Sequence, residues 1–431
     1  MLYIYILSLQ SVRFNFHSHP VQVHLSVSVS RYFLLARSNK LCSNYVAEIK
    51  QEDNAMKKNP FYLKEIPVDA PFCDREKELA DLISYARSNS NVVLFSPRRY
   101  GKTSLTKRVQ STLKSDGTLT AYCDLFGVTS VEEIAGRIAK SIYAITQKNK
   151  GMFQKAISFI TSFRPVLSPS PEGGISVSVQ TAFRTDGLKI LEDTMDSLER
   201  FIDDVAVPVH AAFDEFQEIA EVDNSIGIEG VLRQYIQKIQ CSFFFIGSRR
   251  RILLDIFNDR KRPFFQSALN YELKPLPHKD LIFFITSQFK RAGKGISKEN
   301  ASKICQLVSN HPYYMQKFCF FLYEEIQKEV IQKDIVGTNA LVMESERVVF
   351  ESILQGLTTK QIVMLSALAK EPTAKVYSAS YMARHNLAST GGIQQSLGTL
   401  SKRDLIEKNY KTGVWFVVDP IFNNRLIEMS L

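Results

Sequence analysis

Residues Ser96-Pro-Arg-Arg-Tyr-Gly-Lys-Thr103 lie where a run of apolar residues gives way to a helical pattern. Before them, Asn91-Val-Val-Leu-Phe95 has the length and composition of a buried strand. After them, Leu105, Val109 and Leu113 recur at i, i+4 and i+8, which predicts a helix from Lys102 to Lys114. A loop entering a helix in this way points several backbone N–H groups at one spot, and the helix dipole favours negative charge there. The spacing is that of G-x-x-x-x-G-K-[ST], with Ser96 in the first glycine position. The chemistry predicted is the binding of a nucleoside triphosphate, ATP, with Mg²⁺. Ser96, Pro97, Arg98, Arg99, Tyr100 and Gly101 would wrap the phosphates and Ser104 would follow them into the helix. Lys102 would reach the terminal phosphates as a point charge, and Thr103 would offer its hydroxyl to the metal. Serine serves at position 96 provided its φ stays negative.

A second constellation lies about a hundred residues on. Val209-His-Ala-Ala-Phe-Asp-Glu215 is an apolar strand ending in two carboxylates. Beside a phosphate loop, Asp214 would hold Mg²⁺ through water and Glu215 would orient or deprotonate the attacking water. His210, inside the strand, reads as a packed core residue.

These groups need a scaffold, and the chain supplies one by alternating strand-like and helix-like stretches from residue 61 onward, the mark of an α/β domain with a largely parallel sheet. Further strands are predicted over 118–125, 205–213 and 241–246, with a helix over 131–145. Residues 164–182 read as an inserted hairpin. After Pro275 and Pro277 the pattern turns helical, with Leu281, Phe284, Ile285 and Phe289 at helical spacing. Residues 350–431 read as three helical stretches followed by strands at 405–408 and 414–418, an order that suggests a winged helix. The expected domains are therefore a P-loop core over 56–275, a helical lid over 276–349 and a winged helix over 350–431.

The composition is ordinary for a globular chain, with 45% hydrophobic and 23% charged residues. No apolar run reaches 18 residues, which argues against a membrane span. The net charge of +10 suits a polyanionic partner without choosing between nucleotide and nucleic acid. The six cysteines form no C-x-x-C pair, so they are expected to be reduced, packed thiols in a cytoplasmic protein. Residues 1–55 differ from the rest: they hold His17, His19 and His24 amid serine and valine without helical period. They are expected to be translated upstream sequence, with Met56 the native start, because codons for Gln51-Glu52-Asp53 can spell a ribosome-binding sequence.

Taken in order, several motifs resemble the archaeal-type ATPases, P-loop proteins of the AAA+-related STAND class. They are Phe72-Cys-Asp-Arg-Glu76, the 97–104 loop, Asp124-Leu-Phe-Gly127, Asp214-Glu-Phe-Gln-Glu218, Ile246-Gly-Ser-Arg249 and His311-Pro-Tyr-Tyr-Met-Gln316. The resemblance spans nearly all of the chain beyond Met56. It implies that the segment around Phe72 and Arg75 lies near the adenine and that Ser248 and Arg249 sense the γ-phosphate. It also implies that His311 and Pro312 of the lid approach the nucleotide from the other side. This chain departs from the pattern at Ser96 and at Asp74, where many relatives carry glycine.

Arg260-Lys261-Arg262 reads as a surface cluster. Ser389-Thr-Gly-Gly-Ile-Gln-Gln395 looks like a transporter-ATPase signature but lies far from the other motifs, where Ser389 or Thr390 would cap a helix. No Asn-Lys-x-Asp motif argues for guanine. In the winged helix, residues 391–403 form the candidate recognition helix, exposing Gln394, Gln395, Thr399, Lys402 and Arg403 to DNA. The tail carries nine basic and six acidic residues, a mild excess that equally suits a protein partner. Three functions compete: an ATPase driving a conformational or assembly change, a slow nucleotide-dependent switch, and a DNA-binding regulator. The sequence carries no signal for oligomeric state.

Overall fold

The computed structural model describes residues 59–431, apart from positions 148, 170–174, 183–185, 206, 410 and 430–431. The expected upstream extension, Met56 and Cys42 lie outside the described residues.

The first half forms strands Val92–Phe95 (β1), Leu119–Asp124 (β2), Phe163–Pro169 (β3), Ile175–Thr181 (β4), Val209–Asp214 (β5), Ser242–Gly247 (β6) and Leu269–Glu272 (β7). Five of them make one sheet in the order β2-β5-β6-β1-β7, every pair parallel. The helices of this half are Glu76–Arg87 (α1), Lys102–Ser115 (α2), Val131–Thr146 (α3), Lys150–Phe159 (α4), Gly187–Asp204 (α5), Ser225–Ile236 (α6) and Arg250–Asn258 (α7). Because side chains alternate along a strand, the sheet has two apolar faces. Val92, Leu94, Phe244 and Ile246 pack on Leu82 of α1 and on Leu105, Val109 and Leu113 of α2. Val93, Phe213, Phe243 and Phe245 face the other way, onto α3, α5, α6 and α7. Parallel strands covered on both faces read as unbroken apolar runs, which is why β5 and β6 are buried throughout.

The expected hairpin is the antiparallel pair β3–β4. The strand expected from residue 205 begins at Val209, because the apolar face of α5 (Leu191, Met195, Leu198, Phe201, Ile202) carries that helix on to Asp204. Arg262 is not part of a solvated cluster: it pairs with Glu229, which is fully buried, and only Arg260 and Lys261 are exposed. His210 is a core residue, its Nδ1 2.7 Å from Ser242 Oγ and its pKa pushed down to about 3 by burial. Cys73, Cys123, Cys241, Cys305 and Cys319 are free and buried.

The second half is helical: His278–Arg291 (α8), Lys298–Leu307 (α9), Pro312–Glu325 (α10), Gln332–Gln355 (α11), Thr359–Lys370 (α12), Ala379–Arg384 (α13) and Thr390–Lys402 (α14). A short hairpin of Ile406–Lys408 (β8) with Trp415–Val417 (β9) follows, then helix Pro420–Met429 (α15), which the sequence pattern did not separate. Ser389 caps α14 by accepting from the Gly392 N–H. The boundary expected at 349/350 falls inside α11. Lid and tail share one apolar core from Leu281 to Leu426, in which Phe350 stacks on Phe422 at 4.8 Å. No helix among the described residues is long and apolar enough to cross a membrane.

Candidate functional site

At the C-terminal edge of the sheet, β1 turns into α2 through residues 96–101. Gly101 has φ 88°, the left-handed conformation only glycine takes without strain, and it sets the N–H groups of α2 facing the loop. Arg99 also takes positive φ, at 63°, but Ser96 does not, so serine meets the backbone requirement there. The same reasoning accounts for Asp74: its φ is 54°, where a glycine would sit at lower cost.

Lys102 is 6% exposed. Its ammonium donates to the Ser96 carbonyl at 3.1 Å, the Pro97 carbonyl at 3.0 Å and Ser96 Oγ at 3.3 Å. All three partners are neutral. Burial pulls its pKa down to about 8, against the pull of Glu215 and Asp214. The carboxylates act without a direct bond to this ammonium, so a phosphate would be a directly bonded counter-ion for it.

Across the loop, β5 delivers the two carboxylates. Thr103 Oγ1 donates to Asp214 Oδ2 at 2.8 Å, and the Glu215 N–H donates to Oδ1 at 2.9 Å. Burial raises the pKa of Asp214. Hydroxyl and carboxylate oxygens side by side are the donor set a hard divalent cation takes, the phosphates completing its shell. Glu215 sits at φ 51°, and its carboxylate accepts from Gln217 Nε2 and, at 3.1 Å, from Ser248 Oγ of the strand end after β6.

Beside these groups lies a cavity of about 540 Å³, within the range of small-molecule sites. Loop residues Arg98 to Ser104, Glu215 and Ser248 form its polar end, while Phe72 and Arg75 line it as expected for the segment ahead of the loop. Arg75 is buried, paired with Glu78 at 2.6 Å and donating to the Lys274 carbonyl. Pro312 lines the lid side. His311 stands behind the loop, edge-on to Tyr100 at 4.8 Å, with burial pushing its pKa down to about 3. Ser96, Pro97 and His311 lie outside the cavity's lining, and the geometry does not bring Arg249 to it either. Arg249 lines a separate cleft between core and tail, where Glu221 at 3.0 Å, Asp404 at 3.5 Å and Glu218 at 3.9 Å hold its guanidinium.

Sequence reasoning missed the stretch Tyr62–Ile66. It lines the cavity and ties the two halves together: the Tyr62 N–H donates to Gln316 Oε1 of α10 and the Ile66 N–H to Ser104 Oγ of α2. Leu276, Tyr313 and Met315 of the lid complete the apolar end. The signal for them was weak, because short irregular segments have no period to read.

This arrangement defines the class of the molecule: an AAA+-like P-loop fold with a helical lid and a C-terminal winged helix. Residues 348–428 match the family model of a probable winged helix domain. Among solved structures the chain is similar to the Walker-type ATPase paby2304 of Pyrococcus abyssi, at 15% identity and TM-score 0.59, covering 82% of this chain and 96% of that one. It is also similar to the Aeropyrum pernix ORC2 protein in its ADPNP–ADP complexes, at 14% identity and TM-score 0.53, covering 85% of this chain and 95% of that one. None of the curated proteins compared with the chain matches it.

Proposed function

We propose that the protein binds ATP with Mg²⁺ in this cavity and hydrolyses it, coupling the cycle to movement of the lid and tail. The observation that carries the reading is the buried Lys102 ammonium, held by neutral oxygens alone, beside the Thr103–Asp214 pair. The α2 N-terminus and Lys102 bind the β- and γ-phosphates. Thr103 and Asp214 are the residues that would hold Mg²⁺, which when bound neutralises phosphate charge. Glu215 is the group that orients and deprotonates the attacking water: Gln217 and Ser248 both donate to its Oε2, which fixes the carboxylate and leaves Oε1 to take the water. The apolar end, with Tyr62, Phe72, Leu276 and Met315, takes the adenine.

Coupling has a physical route. Loop residue Arg99 lies 3.9 Å from Glu346, which forms a buried pair with Lys317 at 2.5 Å. Glu346 belongs to α11, the helix that runs unbroken from lid into tail. A phosphate drawing on Arg99 therefore acts on the helix that carries the winged helix. The tail is the partner-binding end, and its exposed Gln394, Gln395, Lys402 and Arg403 on and just after α14 favour DNA as the partner.

Steady-state hydrolysis of the parent against Glu215→Gln tests the reading. The variant is expected to keep ATP and to lose at least a hundredfold in kcat, the size of effect typical of a positioned general base. Equal turnover in the two proteins would remove Glu215 from the catalytic role.

A further inference from the structure

One side chain bonded to Asp214 comes from neither the phosphate loop nor β5. Strand β2 pairs with β5 so that Tyr122 lies opposite Ala212, two residues before Asp214. That register puts Tyr122 on the α2 face of the sheet, packed against the cluster containing Leu105 and Val109, with the Lys107 ammonium 5.3 Å from its ring centroid. Its phenol reaches up to donate a hydrogen bond to Asp214 Oδ2.

Oδ2 is also the oxygen that accepts from Thr103 at 2.8 Å, while Oδ1 accepts only the Glu215 N–H. An ionised carboxylate offers about two acceptor sites on each oxygen. With both sites of Oδ2 taken by hydroxyls, Asp214 keeps one open site, on Oδ1. The Thr103 hydroxyl points its hydrogen at Asp214, so its oxygen lone pairs are left for a cation. Three donors from three elements (α2, β2 and the turn after β5) thus fix how the carboxylate can face its ligand.

We propose that Tyr122 is a positioning residue for the divalent cation: its phenol locks the orientation of Asp214, so that a hydrated cation meets one preset acceptor rather than a rotating carboxylate. Outer-shell donors of this kind commonly set metal affinity. The proposal rests on the nucleotide reading above and adds to it the group that tunes the metal requirement.

The test uses the full chain and its Tyr122→Phe variant, which removes one oxygen and keeps the ring. ATP affinity is measured by calorimetry in EDTA and in Mg²⁺. Mn²⁺ is then titrated into each protein saturated with ATP, with free Mn²⁺ followed by electron paramagnetic resonance. The loss is expected only where metal is present: the metal dissociation constant rises by about tenfold or more, and ATP affinity in EDTA stays within about twofold. A metal constant unchanged within about twofold overturns the proposal. So does tighter metal binding, which would make the phenol a competitor of the cation. Equal loss of ATP in both media, or a variant whose circular dichroism melt shows it unfolded, overturns it by showing that Tyr122 holds the fold. A parent that binds no ATP in Mg²⁺ refutes the nucleotide reading itself, a failure seen before the variant is compared.

Discussion

Replacing Lys102 with methionine separates what the buried ammonium costs the fold from what it gives the ligand. Burial lowers the Lys102 pKa from 10.5 to about 8. At roughly 1.4 kcal/mol per unit, that is about 3 kcal/mol against the charged form in the ligand-free protein. The sign follows from the direction: a lysine whose folded pKa is depressed destabilises the fold most below pH 8 and progressively less as pH rises toward 10.5. Methionine has a similar length and no charge, but it leaves the Ser96 and Pro97 carbonyls without their donor, at about 1 kcal/mol each. Ligand-free Lys102→Met should therefore be as stable as the parent or about 1 kcal/mol more stable at pH 7. Binding should go the other way. Removing one partner of a buried charge pair costs about 2–5 kcal/mol, so Kd for ATP should rise by a factor on the order of several hundred. At ATP a hundred times the parent's Kd, the parent gains about 2.7 kcal/mol of stability and the variant about 0.2. Thermal unfolding with and without ATP reads both effects. A variant clearly less stable than the parent without ligand would refute the reasoning about burial, and one equally stabilised by ATP would refute the role of the ammonium.

The same pKa predicts linked protonation. ATP phosphates should pull the Lys102 pKa back up, so binding should take up a proton near pH 8 and weaken by up to about tenfold per pH unit above it; calorimetry in buffers of different ionisation enthalpy checks this, and a Kd flat from pH 7.5 to 9.5 would contradict it. Arg262→Ala should cost about 2–4 kcal/mol in urea unfolding, because it strands Glu229, whose pKa burial already holds up at about 7. Adding Glu229→Gln should recover most of that loss. If the tail binds DNA, fluorescence anisotropy should show affinity falling steeply with salt, and Lys402→Ala with Arg403→Ala should reduce the log–log slope by about 2.

The phosphate loop was legible because strand, glycine, lysine and helix are contiguous, so local chemistry and local structure point to one place. Asp214 and Glu215 were legible for the same reason at the end of an apolar strand. Features that depend on distant partners were not. Arg249 read as a γ-phosphate sensor at a strand end until the fold brought Asp404 to 3.5 Å, and Arg262 read as part of a surface cluster until Glu229 arrived beneath it. The edge strand β7 was invisible because Leu269-Asn-Tyr-Glu is short and half exposed. The lid–tail boundary misled because the winged-helix pattern was counted from residue 350, while α11 and its apolar core continue through that position. Tyr122 carried no sequence signal, since its meaning lies in the β2–β5 register.

The account depends most on the cavity between loop and lid receiving a triphosphate. Calorimetric titration of ATP with Mg²⁺ into the full chain is the direct test. The account predicts a saturable site of one nucleotide per chain that inorganic sulfate at equal concentration does not fill. A titration indistinguishable from dilution, under conditions where circular dichroism shows the chain folded, would contradict it.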